Sequence, residues 1–440
     1  MTGSVTNSKS ARVVVTGLGA VAPNGPDTAS FWNSLLDGVS GIRKIRSFDV
    51  SGYPCQVGGE ALDFKPEEFV ETRTLRRTGR TAHLAVASVL MALRDSGLEN
   101  IFSGAQGAAV IYGMGCPPID VIAQDVGLFL KEGARRLEPY KLSAEDSNSV
   151  VTAITESIGA SSTAIVVSTG CTAGLNAIGL AFDKVRTGQA TTVVCGSADA
   201  PLSPFSYAVF CASGIMSKRN SHPQKASRPF DLRRDGGVLS EGAGTLILES
   251  LETALARGAR IYGEILGFAS ITQAGRNQRQ SPEAAAREGF IRSMGLAMSD
   301  AKILAEDVDY ISAHAPSDPI LDRIETEAIK AVFGSWAYRV PVSSIKSCIG
   351  NPVAAIGALQ TIATLLAIRD DKVPPTINYE YPDSTCDLDC VPNHWRHNRV
   401  DVALINSHGM GGTYSSLVIG RCEGSQRSNQ NQPWSTDFGE

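Results

Sequence analysis

The sequence is short of the features that mark nucleic-acid, membrane and metal proteins. Lysine and arginine (40) are outnumbered by aspartate and glutamate (45), which leaves a formal net charge of −5. A pI near 5.8 lacks the basic footprint that a phosphate backbone requires, and this argues against a nucleic-acid partner. No uninterrupted apolar run reaches the roughly 18 residues of a membrane span, so no membrane is expected. The nine cysteines are an odd number, none forms a C-x-x-C, and the six histidines are not spaced with them as zinc ligands would be. No metal is expected, and a reducing, cytoplasmic setting fits best. The segment Met1–Arg12 has no apolar core, so no secretory signal is expected. What is present, 43% hydrophobic residues and 43 glycines in 440 residues, is an ordinary globular composition. It allows two to three domains or one large two-part enzyme.

Residues 1–10 and 424–440 carry too little apolar surface to offset ordering and read as solvated tails. Between them, short β-branched runs alternate with Ala/Leu-rich helical patterns. Strands are predicted near Arg12–Thr16, Ala108–Tyr112, Ala164–Val167, Thr192–Cys195 and Gly244–Leu248, with helices at Ala82–Ser96 and Ala173–Arg186. A second set has strands near Ile261–Ile265, Tyr310–Ala313, Val340–Val342 and Val402–Ile405, and helices at Ala284–Ser299, Ile324–Phe333 and Pro352–Arg369. The alternation predicts an α/β architecture with buried sheets. The two sets share an element order without a clear repeat in residue identity. Many of the strands end in Gly, Ser, Cys or His, which suits strand-end crevices where α/β folds keep their sites.

One cysteine stands apart. Val166–Gly179 reads VVSTGCTAGLNAIG, a strand running into a turn of small residues and then a helix. This puts Cys171 at a helix N-terminus, whose amides favour a thiolate and can hold an oxyanion. The alternative is a buried, inert thiol, the common fate of intracellular cysteines; it is accepted for the other eight.

The segments around Cys171 resemble the β-ketoacyl-acyl-carrier-protein synthases (ketosynthases) of the thiolase-like condensing enzymes. The likeness runs from about residue 11 to 421 through VVVTGLGAVAPNG, STGCTAG, RPFDLRRDGGVLSEGAGTLILE, YISAHAPSDPILDRIETEAI, SSIKSCIGNPVAAIGA and NSHGMGGTYSSLVIG. Any one block is weak, whereas six in order are specific. The resemblance implies an α/β, thiolase-like fold of two similar αβαβα halves in a five-layered body, with halves at 11–253 and 254–423. It also implies a homodimer, and an acyl or peptidyl carrier protein as partner. No cofactor of its own is implied, the phosphopantetheine being carried by the substrate's carrier protein.

By the same resemblance Cys171 is the nucleophile, His314 the first active-site histidine, Lys346 the active-site lysine and Glu325 the acid paired with it. Four departures accompany these matches. Where a second histidine is usual stands Asn351, which donates a hydrogen bond but carries no proton away. The family's Gly-Thr-x-Thr-Pro after the first histidine is Ala315-Pro316-Ser317-Asp318-Pro319, so both hydroxyls that bond the pantetheine arm are gone. A pocket aromatic is replaced by Gly237, opening on the order of 100 Å³. The gating Gly-Phe-Gly-Gly is Gly409-Met410-Gly411-Gly412, and His408 stands before it in place of Phe. His408 reads either as an extra acid/base group or as a packed loop histidine.

These changes point to a specialised ketosynthase-like acyltransferase of polyketide or other natural-product biosynthesis. The expectation is that Cys171 accepts an acyl chain and His314 acts as base, while the helix N-terminus and the amides near Gly411-Gly412 hold the oxyanion. The favoured outcome is an intramolecular aldol cyclisation with lactonising release and no decarboxylation, similar to bicyclising ketosynthases of the salinosporamide type. The alternatives are a decarboxylative Claisen condensation by Cys171-His314-Asn351, and a non-catalytic partner subunit like a chain-length factor.

Overall fold

The computed structural model describes residues 10–99, 108–273 and 281–422, so the predicted tails fall outside it apart from Ser10. Ten strands form one sheet: β1 Val13–Val21, β2 Ala108–Gly113, β3 Thr163–Val167, β4 Thr192–Asp199, β5 Gly242–Ser250, β6 Gly263–Thr272, β7 Tyr310–Ser312, β8 Val342–Ser343, β9 Val402–Gly409 and β10 Thr413–Gly420. The strand order is β8-β7-β9-β10-β6-β1-β5-β4-β2-β3. Its two halves repeat one topology. In the first, β5 runs antiparallel to β1 and β4, and β4, β2 and β3 are parallel. In the second, β10 runs antiparallel to β6 and β9, and β9, β7 and β8 are parallel. The halves join where β1 pairs with β6, Val13 opposite Ile265.

Six helices complete the layers: α1 Arg80–Ser96, α2 Ser149–Ile158, α3 Ala173–Arg186, α4 Pro282–Ala301, α5 Leu321–Phe333 and α6 Ala355–Asp370. Helices α1 and α2 cover the outer face of the first half and α4 and α5 that of the second, while α3 and α6 lie between the halves. A helix in such a middle layer has no solvent face, and every residue of α6 from Ala355 to Ile368 is buried. The central helices approach backbone to backbone. A Cβ on Gly357 would lie 2.6 Å from Leu175 N, and one on Gly174 would lie 2.5 Å from Ala354 O. That contact brings the turn before α3, which holds Cys171, beside the turn before α6, which holds Asn351.

The predicted strands and helices all occur, several of them longer than their apolar runs. Strand β10 was not predicted as an element, nor were α2 and the helices Ile119–Glu132 and Pro204–Ala212. In β10 the buried Ser415 and Ser416 break the apolar pattern. They are satisfied internally, Ser415 Oγ donating to Asn176 Oδ1 (2.6 Å) and Ser416 Oγ to Asn406 Oδ1 (2.9 Å). Among the described residues no helix is long and apolar enough to cross a membrane, and no cluster of potential metal ligands forms.

Candidate active site

The nucleophile turn is tied down by its own hydroxyls together with groups on α3 and β9. Thr172 Oγ1 donates to Thr169 O (2.7 Å), Asn176 Nδ2 to Thr169 Oγ1 (2.8 Å), and Ser407 Oγ on β9 to the Cys171 carbonyl (3.0 Å). Cys171 is thereby fixed at the head of α3 with only 7% of its surface exposed. Burial pushes its thiol up to about 11. Asp199 adds to the rise, while Lys346 and the Asn351 amide work against it. The thiolate expected from the helix N-terminus is therefore not the resting form: desolvation outweighs the nearby donors.

His314 follows β7 and is held by its backbone. Both oxygens of Glu325 accept from main-chain N–H groups, Oε1 from His314 (2.9 Å) and Oε2 from Ala315 (2.7 Å), and Lys346 Nζ donates to the His314 carbonyl. The expected Glu325–Lys346 pair is thus not a direct ion pair among the described residues. The two bracket one peptide segment instead, and Asn406 Nδ2 adds a bond to Glu325 Oε1 at 3.1 Å. Burial draws Lys346 down to about 8 and raises Glu325.

The ring of His314 is oriented by a bond from the gating loop. The His408 main-chain N–H donates to His314 Nδ1 at 3.1 Å, so the neutral ring carries its proton on Nε2. Burial first, then Lys346 and His408, hold the imidazole well below its usual range, which keeps it neutral. This overturns the expected role of His314 as base. Its one lone pair is engaged, and what it offers the cavity is a hydrogen-bond donor.

Asn351 is positioned by two main-chain bonds, its N–H to Val238 O (2.7 Å) and its carbonyl from Ser240 N–H (3.1 Å). Its Nδ2 lies 3.9 Å from Cys171 Sγ, and its Oδ1 is buried without a partner among the described residues. His314 and Asn351 therefore present two neutral donors on the nucleophile's side of one cavity.

That cavity, of about 260 Å³, is lined by Cys171, His314, Asn351, Gly237, Pro316, Asp318, His408 and Met410 among others. All the predicted pocket residues meet there. Met410, 58% exposed, stands at the mouth. Gly409 closes β9 so near the nucleophile turn that a Cβ would lie 2.9 Å from Thr169 O. Gly411 and Gly412 do not line the cavity, and the Gly412 N–H is used within the turn, donating to Gly409 O at 3.2 Å. It is not available to an oxyanion, contrary to expectation. The Met410 amide lies against the nucleophile turn, 3.8 Å from where a Cβ on Gly170 would be.

Some contributors were missed in the sequence. Phe210, Ile215 and Met216 supply an apolar wall from the end of the Pro204–Ala212 helix and the segment after it. The exposed Phe205 and Val209 on that helix blurred its pattern. Asp199, at the end of β4, is fully buried and accepts N–H bonds from Gly115 (2.9 Å), Cys116 (3.0 Å) and Ala354 (2.7 Å). It fastens the loop after β2 to the start of α6, and burial raises its carboxyl to about 7. The only sequence signal was an acid closing a strand of small and apolar residues.

Comparison with known proteins agrees with this geometry. The family model for the beta-ketoacyl synthase N-terminal domain matches residues 10–254, and that for the C-terminal domain matches residues 262–380. A 3-oxoacyl-[acyl-carrier-protein] synthase 2 of Synechocystis sp. is 41% identical over 94% of this chain and 99% of its own length. The tetracenomycin polyketide synthase ketoacyl synthase alpha subunit of Streptomyces glaucescens is 40% identical over 93% of this chain and 97% of its own. Among solved structures, the ishigamide ketosynthase/chain length factor superposes with a TM-score of 0.87 at 32% identity, covering 94% of this chain and all of that one. A type II PKS acyl-carrier protein in complex with its ketosynthase bound to the hexaketide gives a TM-score of 0.84 at 34% identity, with the same coverage. With its nucleophile and donors in one strand-end cavity, the chain belongs to the beta-ketoacyl synthase family: it is a thiolase-like ketosynthase, a C–C bond-forming condensing enzyme.

Proposed function

We propose that this ketosynthase takes an acyl chain from a carrier-protein thioester onto Cys171 and closes that chain on itself. In the first step Cys171 Sγ attacks the thioester carbonyl, the pantetheine sulfur leaves, and the cysteine proton ends on it as a thiol. An α-proton is then removed from the Cys171 thioester, and the enolate oxygen is held by His314 Nε2–H and Asn351 Nδ2–H. The enolate carbon attacks a ketone further along the chain. The new alkoxide attacks the thioester carbonyl and expels the Cys171 thiolate, which recovers the α-proton. The released product is a lactone, with no water added and no CO₂ lost.

The observation that carries this reading is the make-up of the cavity wall. Pro316 and Asp318 offer no hydroxyl to a second pantetheine arm, and Gly237 lines the wall with bare backbone, where a Cβ would already lie 3.0 Å from Pro316 O. The reading is tested by incubating the acylated enzyme with a malonyl carrier protein and following both Cys171 and the carrier by intact mass. The carrier should gain no acyl chain from Cys171; a β-ketoacyl chain two carbons longer on the carrier, formed with CO₂ release and dependent on Cys171, would sink the cyclisation.

A second reading, decarboxylative Claisen condensation, is favoured by relatives at 40–41% identity named 3-oxoacyl-ACP synthase 2. The two neutral donors would serve equally to hold the enolate left when malonate loses CO₂. In both readings the macromolecular partners are the carrier protein and a second copy of the chain. A catalytically silent partner subunit is disfavoured by Cys171 and His314 lying in one cavity.

A further inference from the structure

The cyclisation needs a base, and the geometry of His314 rules that residue out. A different imidazole faces the same cavity. The His408 ring leans on Tyr414 (centroids 4.9 Å apart) and Phe290 (5.9 Å), and stands edge-on to His314 at 5.6 Å. Its main-chain N–H is committed to His314 Nδ1, but neither ring nitrogen has a hydrogen-bond partner among the described residues. With no bond inside the protein among the described residues, the half-buried ring can engage a molecule held in the cavity that it lines.

A carboxylate lines the same cavity. Asp318 Oδ1 accepts from the Ile320 and Leu321 N–H groups, each at 2.8 Å, which holds the side chain at the entrance to α5. Its charge favours a proton on His408, against burial and the Lys346 ammonium, which disfavour one. Burial prevails and keeps His408 neutral. The ketosynthase pattern has Phe at position 408 and Thr at position 318. Both departures therefore place ionisable groups on one cavity that already holds the nucleophile.

We infer that His408 is the base that takes the α-proton from the Cys171 thioester, and that Asp318 is a positioning residue that faces and favours the resulting imidazolium. The inference rests on the cyclisation reading, since enolate formation by decarboxylation needs no such base. A His408 ring nitrogen bonds the α-hydrogen as its C–H pair passes to the enolate, whose oxygen His314 and Asn351 hold. The same proton later returns to the Cys171 thiolate when the lactone leaves, so no co-reactant is consumed.

The test uses a probe that cannot cyclise. The full chain is acylated on Cys171 from butanoyl-pantetheine in D₂O, and the acyl group is followed by mass. The wild type should gain two deuterons at the α-carbon. H408F, which restores the family residue, should acylate normally yet exchange about 100-fold more slowly, the scale of a lost general base. H408A should regain exchange on addition of imidazole, and D318N should slow exchange with acylation intact. Exchange at the wild-type rate in H408F, or no exchange in the wild type, overturns the assignment. Extension by two carbons from a malonyl carrier instead sinks the cyclisation reading itself, so the two failures are distinguishable.

Discussion

Cys171, His314 and Lys346 are 7%, 2% and 1% exposed, and for each of them burial is the strongest influence on ionisation. Below its pKa of about 11 the Cys171 thiolate fraction should rise tenfold per pH unit, so alkylation by iodoacetamide should climb through pH 7 to 10 without levelling. A plateau below pH 8 would contradict this. K346M removes the cation that favours the thiolate, and should slow alkylation at each pH. N351A removes one of two enolate donors, and should slow the carbon–carbon step by about 10²–10³-fold while leaving acylation of Cys171 intact by mass. Equal loss in both steps would show that Asn351 only shapes the pocket. These residues were legible because each sits in a motif with a fixed role. The tautomer of His314 was not, since it depends on a main-chain N–H 94 residues away. The Glu325–Lys346 relation failed for a like reason, both side chains turning to a peptide segment that no side-chain pairing reveals.

At the scale of elements, the site exists because α3 and α6 cross at glycines, and this contact has a measurable cost. Gly to Ala inside a helix normally stabilises by about 1 kcal/mol. In G357A the new Cβ would meet the Leu175 amide nitrogen at 2.6 Å, and a backbone atom cannot rotate away. Overpacking of about 1–3 kcal/mol should win, so G357A should unfold at lower urea with an unchanged m-value. A higher midpoint would contradict the close crossing. Two residues beside the site also hold left-handed backbone without being glycine, Val353 (φ 48°) and Ser317 (φ 73°), as strained positions at functional loops do. Helix α3 was legible to the residue because its apolar period is regular. Strand β10 was hidden because its buried serines are satisfied by partners on β6, β9, α3 and α4 that only the fold supplies.

For the whole molecule, the repeated strand order explains why the halves looked alike in element order without sharing sequence. Topology constrains where strands lie, not which apolar residues fill them. The pairing of β1 with β6 that fuses the halves into one sheet left no local signal. The outermost strand of the first half, β3, reads TAIVV, with Ile165 38% exposed and no charge or proline to guard its edge. Such an edge invites another strand, so sedimentation should give a particle of twice the 46.4 kDa chain; a monomer at micromolar concentration would count against it. The central claim is that the chain bound to Cys171 releases itself. The direct measurement is turnover of a carrier-bound ketoacyl thioester in H₂¹⁸O, reading the mass of the free product. Lactonising release predicts a product that carries no solvent oxygen and no added carbons, and that is missing from a C171A variant. Product with one ¹⁸O, the mark of hydrolysis, or with two extra carbons would contradict it.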